Sequence, residues 1–141
     1  MRGLLGIDVG TGSVRGCIFD EQGNELVQPY VLTIKTKITY DDQLGEHLYA
    51  QSSADIWRQT TQVIEHLVKS IDIEVIGIGF DATCSLVLLD ATGVGVPLDT
   101  EDCEVFDVIL WKWLIYSREP FEGSFFPLFS PGSYLGRVLI H

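Results

Sequence analysis

The stretch DVGTGSVR, from Asp8 to Arg15, concentrates residue types that bind anionic oxygen. Gly10 and Gly12 permit backbone angles that other residues resist, so successive amides can converge into an anion-binding nest. Thr11 and Ser13 add hydroxyl donors, and Arg15 adds a cation. Asp8 is a carboxylate able to hold a magnesium ion through retained waters. Together they offer a seat for polyphosphate. The plainer alternative is a Gly/Ser turn between two strands that binds nothing. Two other phosphate motifs are excluded by spacing. A Walker A loop needs a lysine before its serine or threonine, and none occurs here. The dinucleotide fingerprint leads into a helix, whereas Gly10-x-Gly12-x-x-x-Gly16 leads into a β-forming segment.

The elements that must position this stretch follow from apolar spacing. Gly3 to Val9 predicts a buried strand and Val14 to Phe19 a second, with Gly23 and Asn24 as turn residues before a third. Leu26, Tyr30, Leu32, Ile34, Ile38 and Tyr40 share one parity, which predicts one face of that third strand, with Pro29 at an edge or bulge. YDDQLGEHLYAQ reads as a loop. Ser52 followed by Asp55 resembles a capping box at the start of a helix. Its apolar stripe runs through Ile56, Trp57, Thr60, Val63, Ile64, Leu67, Val68 and Ile71, which assigns Trp57 to the core. IEVIGIGFD predicts a buried strand, and SLVLLDATG and VFDVILW predict two more. Strands, a helix and further strands imply a mixed α/β sheet with at least one covered face.

Composition narrows the function classes. The 141 residues carry a formal charge of −11, so repulsion from phosphate backbones and anionic lipid argues against general nucleic-acid or membrane-surface binding. No apolar run reaches the roughly 18 residues of a transmembrane helix, and Met1-Arg2-Gly3 enters a strand-like segment without a signal peptide. Cys17, Cys84 and Cys103 form an odd set without CxxC spacing, which reads as reduced packing thiols of a cytoplasmic protein. His47 and His66 read as exposed polar residues. After Trp111 the chain becomes rich in aromatics broken by prolines and glycines, with no sustained period. Residues 1–111 are therefore expected to form one unit, and 112–141 a separate aromatic-rich tail.

In LLGIDVGTGSVRGCIFDEQGNEL, AQSSADIW and IGIGFDATCSLVLLD the chain resembles the FGGY family of carbohydrate kinases, most closely its ribulokinase-like branch. The resemblance spans residues 3 to 111. It implies an α/β fold, part of a ribonuclease H-like, actin-like ATPase domain with a mixed β-β-β-α-β-β sheet. It also implies ATP and Mg2+ as cofactors and a ketopentose such as ribulose as the phosphate acceptor. Asp8 would then lie beside the metal, and Gly10, Thr11, Gly12, Ser13 and Arg15 would meet the ATP phosphates. Asp81, Ala82 and Thr83 would approach the sugar, with the small Ala82 consistent with an open-chain ketose. Two departures bear on activity. Ala50 precedes Gln51 where relatives commonly carry an acid, and Lys112-Trp113-Leu114 replaces an aspartate-histidine-arginine segment. The family's catalytic aspartate lies beyond that divergence. The resemblance thus implies a truncated, inactive kinase, with a non-catalytic nucleotide- or partner-binding module as the alternative.

Overall fold

A computed structural model describes residues 2–41, 46–98 and 104–111. In chain order the elements are β1 (Arg2–Val9), β2 (Ser13–Phe19), β3 (Tyr30–Thr33), β4 (Thr36–Asp41) and β5 (Glu46–Gln51). The helix α1 (Ser53–Ser70) follows, then β6 (Glu74–Ala82), β7 (Leu86–Val87) and β8 (Val108–Ile109). They build two four-stranded sheets, ordered β3-β2-β1-β6 and β4-β5-β8-β7. The first is mixed, because β2 runs antiparallel to β1 and β6 runs parallel to it. The mixed α/β class expected from the sequence is the one observed.

Alternation in β1 and β2 turns Leu5, Ile7, Val14 and Ile18 to one face, where they bury against Val63 and Leu67 of α1. Burying a side chain of that kind contributes about 1.5–3 kcal/mol. Close approach is possible because residue 16 is glycine. A Cβ there would fall 2.8 Å from Ile7, Val63 and Leu67 side-chain carbons. The helix begins where the sequence placed it. Ser52 is the N-cap, and its hydroxyl accepts from the Asp55 amide at 3.4 Å. The Asp55 carboxylate does not complete a reciprocal box. It instead accepts from the Lys35 amide at 2.9 Å and from the Arg58 and Gln59 side chains, pinning the crossover between the sheets. A second buried carboxylate, Asp107, accepts from the Ser53 amide at 2.7 Å and ties β8 to the same helix end. Both acids suit the positive end of the helix dipole.

Several expectations are corrected. The third strand is two strands in two sheets: after β3 the Ile34 amide donates to the Gly12 carbonyl, and the chain crosses over before β4. Parity survives the crossover, so spacing alone could not reveal it. The supposed loop YDDQLGEHLYAQ contains the end of β4 and all of β5, which pair antiparallel. Trp57 is 65% exposed, because the buried stripe of α1 is narrower and runs through Thr60, Val63 and Leu67. Strand β6 is not buried either. Among the described residues it lies at a sheet edge, and Ile78 and Phe80 stand 53% and 59% exposed. Cys17 packs inside as expected, whereas Cys84 is exposed. His47 and His66 are exposed, and His66 stacks on Tyr30 with ring centroids 3.7 Å apart. Cys103 and residues 112–141 lie outside the described residues.

Candidate functional site

The register of the first sheet brings three charged residues into one row. Asp8 pairs with Arg15 on β2 and with Asp81 on β6, so all three share the face turned away from α1. Adjacent strands lie about 4.8 Å apart, which sets the two carboxylates side by side. Arg15 Nε forms an ion pair with Asp8 Oδ2 at 3.2 Å, with the two side chains 55% and 45% exposed. Arg15 also donates to the Ser13 hydroxyl at 3.4 Å. The row borders an open, shallow depression whose lining includes Asp8, Arg15, Asp81, Glu25, Phe19 and Gly79.

The turn Gly10 to Ser13 closes the end of this row. The Gly10 amide donates to the Ser13 carbonyl at 2.9 Å, which closes the hairpin and removes that amide from any anion site. Neither Gly10 nor Gly12 has a positive φ, so their left-handed freedom is not what the turn uses. Gly10 serves close packing instead, since a Cβ there would sit 3.3 Å from the Ser13 carbonyl and 3.5 Å from Arg15. Space around Gly12 is open. Among the described residues, no acceptor meets the amides of Thr11 and Gly12. They and the Thr11 hydroxyl remain as donors at the mouth of the hairpin.

The residues expected near a sugar follow directly on β6. Asp81 Oδ1 accepts from the Ala82 amide at 3.0 Å, and the Thr83 amide donates to the Val9 carbonyl at 3.1 Å. That last bond ties the Asp81-Ala82-Thr83 segment to the end of β1, one residue from Gly10. Ser85 Oγ is buried without a hydrogen-bond partner among the described residues. The structure therefore gathers Asp8, Arg15 and Asp81 on one face, with Thr11, Gly12 and Thr83 around their end. The oxygen donor set of one half-exposed and one exposed carboxylate suits a hard cation held partly through water.

Two residues at this turn carried no site role in the sequence. Gln51 Nε2 donates to the Thr11 carbonyl at 2.7 Å, and Trp111 Nε1 donates to the Thr11 hydroxyl at 3.1 Å. No local motif marks either of them. Their contacts bridge 40 and 100 residues of sequence.

No protein-family model matches the chain. Curated relatives do. The chain is 41% identical over 114 residues to an FGGY carbohydrate kinase domain-containing protein of Homo sapiens, covering 78% of this chain and 19% of that protein. It is 36% identical over 115 residues to a D-ribulokinase of Saccharomyces cerevisiae, covering 76% and 15% respectively. The chain thus spans less than a fifth of the length of the curated relatives it matches. Among solved structures it is similar to a ligand-bound xylulose kinase of Lactobacillus acidophilus, with TM-score 0.62, 18% identity and coverage of 79% and 20%. It is also similar to Plasmodium falciparum glycerol kinase with ADP, with TM-score 0.60, 19% identity and the same coverage. At such identities the structural likeness speaks for the fold alone. Over the portion that they share, and on the strength of the curated relatives, this chain belongs with the FGGY carbohydrate kinases.

Proposed function

We propose that residues 1–111 form the phosphate- and sugar-facing part of an ATP-dependent carbohydrate kinase whose acceptor is a ketopentose such as ribulose. The observation that carries this reading is the row Asp81–Asp8–Arg15 ending at a turn whose Thr11 and Gly12 amides are open. The yeast D-ribulokinase relative supports the choice of acceptor. Phosphoryl transfer depends mainly on alignment and on neutralising charge, and these residues are suited to both. Thr11, Gly12 and Ser13 would orient the terminal phosphates, while Arg15 would offset their charge and hold Asp8 in place. Asp8 would hold Mg2+, which when bound supplies further neutralisation between the phosphates. Asp81, Ala82 and Thr83 would line the approach of the sugar.

A polypeptide of these 141 residues is expected not to turn over. The resemblance to the family puts the aspartate that accepts the sugar hydroxyl's proton beyond the divergence after Trp111. Purified chain incubated with Mg·ATP and D-ribulose should bind nucleotide, read by calorimetry, without forming sugar phosphate. Phosphorylation that disappears in Asp8→Ala would overturn the inactivity and leave the kinase reading standing. Absence of Mg·ATP binding would overturn the reading itself. The second reading is a non-catalytic module that binds nucleotide or a partner protein. It draws on Ile78 and Phe80, whose exposure leaves an apolar strip along β6. Ketopentose binding in the calorimeter would favour the kinase reading over this one.

A further inference from the structure

The turn at Thr11 is held from outside its own sheet. Gln51, the last residue of β5 and only 2% exposed, donates to the Thr11 carbonyl at 2.7 Å and to Thr36 Oγ1 at 2.9 Å. Trp111, just after β8, donates to the Thr11 hydroxyl. The Ile34 amide donates to the Gly12 carbonyl at 3.0 Å. The Thr11 carbonyl is therefore drawn toward the second sheet, while the Gly12 carbonyl extends the β2–β3 ladder of the first.

Peptide planarity converts this grip into an orientation. In a trans peptide the C=O and the N–H point in opposite directions. The Gly12 amide shares its peptide plane with the Thr11 carbonyl, so fixing that carbonyl on Gln51 turns the Gly12 N–H away from the second sheet. A hydroxyl that accepts from Trp111 keeps its own hydrogen free to donate. Without such a tether a glycine at an open turn samples many orientations, and a donor must be ordered before it can serve.

We propose that Gln51 is a positioning residue that presents the Gly12 amide to a polyphosphate, with Trp111 leaving the Thr11 hydroxyl available to the same anion. This inference rests on the phosphate-seat reading and adds the device that orders it. The side chain touches no ligand itself. It acts through the Thr11 carbonyl, and its burial between two sheets makes the turn's geometry depend on the second sheet being in place.

The test is a titration of the 15N-labelled 141-residue chain with magnesium tripolyphosphate, followed at the Thr11 and Gly12 amide resonances, with thermal midpoints measured in parallel. Wild-type chain should show a saturating shift at Gly12. Gln51→Leu should raise the midpoint of that titration about tenfold and abolish the Gly12 response while the helix signal is retained. Should that variant fail to fold, Gln51→Glu keeps the shape and carries the same comparison. Its carboxylate cannot donate, but its protonated form can. Its deficit relative to wild type should therefore shrink as pH is lowered from 7 to 5, a dependence that loss of packing alone does not produce. Equal affinity in wild type and the Gln51 variants would overturn the inference alone. No wild-type response at Gly12 would overturn the phosphate-seat reading and the inference with it.

Discussion

The turns at Asp20 and Asp90 are built alike, and the turn at Gly10 is built differently. In the first, Asp20 Oδ1 accepts from the amides of Gln22 and Asn24 at 2.9 and 2.8 Å, and Gly23 sits at φ +86°. In the second, Asp90 Oδ1 accepts from the amides of Thr92 and Val94 at 2.8 and 3.0 Å, and Gly93 sits at φ +84°. Each hairpin thus carries its own carboxylate inside the loop and satisfies its amides with it. Such a turn repels an external anion and has few donors left to offer it. At Gly10 the nearby acid, Asp8, lies two residues earlier on the strand and is engaged by Arg15 instead. Among the described residues the Thr11 and Gly12 amides stay open, and the Thr11 carbonyl is tied to another sheet. Two of the three turns satisfy their own amides, and the third leaves two amide donors open among the described residues.

Removing the acid from each kind of turn should give the largest contrast. Asp8→Ala takes away the candidate cation ligand and leaves Arg15 without its partner. Affinity for Mg·ATP should fall more than tenfold in calorimetry, whereas Asp20→Ala should leave it unchanged while lowering the thermal midpoint. Equal losses from the two variants would erase the distinction.

A smaller effect separates the glycines. Gly23→Ala and Gly93→Ala force a side chain into left-handed backbone and should each cost about 1 kcal/mol in urea unfolding. Gly12→Ala meets open space at an ordinary φ and should change stability by no more than about 0.5 kcal/mol. A destabilised Gly12→Ala would mean that the open turn is strained after all.

The smallest effect concerns acid. The Asn24 side-chain amide, followed by its backbone amide, holds the Asp20 carboxyl below its ordinary value, and the Thr92 hydroxyl leads the same effect at Asp90. At Asp55, burial would raise the pKa, but the Lys35 amide, Gln59 and Arg58 together outweigh it and the net shift is downward. Lowered folded values mean that all three acids contribute their stability in full above the unfolded value near 3.8. That contribution is lost as pH falls from there through the lowered values. Thermal midpoints of wild type should drop across this window. The drop should be shallower in Asp55→Asn.

Local chemistry by itself determined a good deal of this protein. Ser52 and Asp55 announce the helix because capping is a short-range hydrogen bond between residues three apart. The hairpin of β1 and β2 is legible because alternation and turn glycines act within a few residues. DVGTGSVR identified the candidate site for the same reason. Tertiary structure alone decided the rest. Tyr30 to Tyr40 keeps one parity across two sheets, since period-2 alternation records which side a residue faces and not which sheet it joins. IEVIGIGF has the composition of a buried strand yet lies at an edge among the described residues, because a strand's place in the sheet depends on partners elsewhere in the chain. Gln51 and Trp111 reach Thr11 only after two sheets have packed, and no local pattern encodes a contact that folding creates between distant residues.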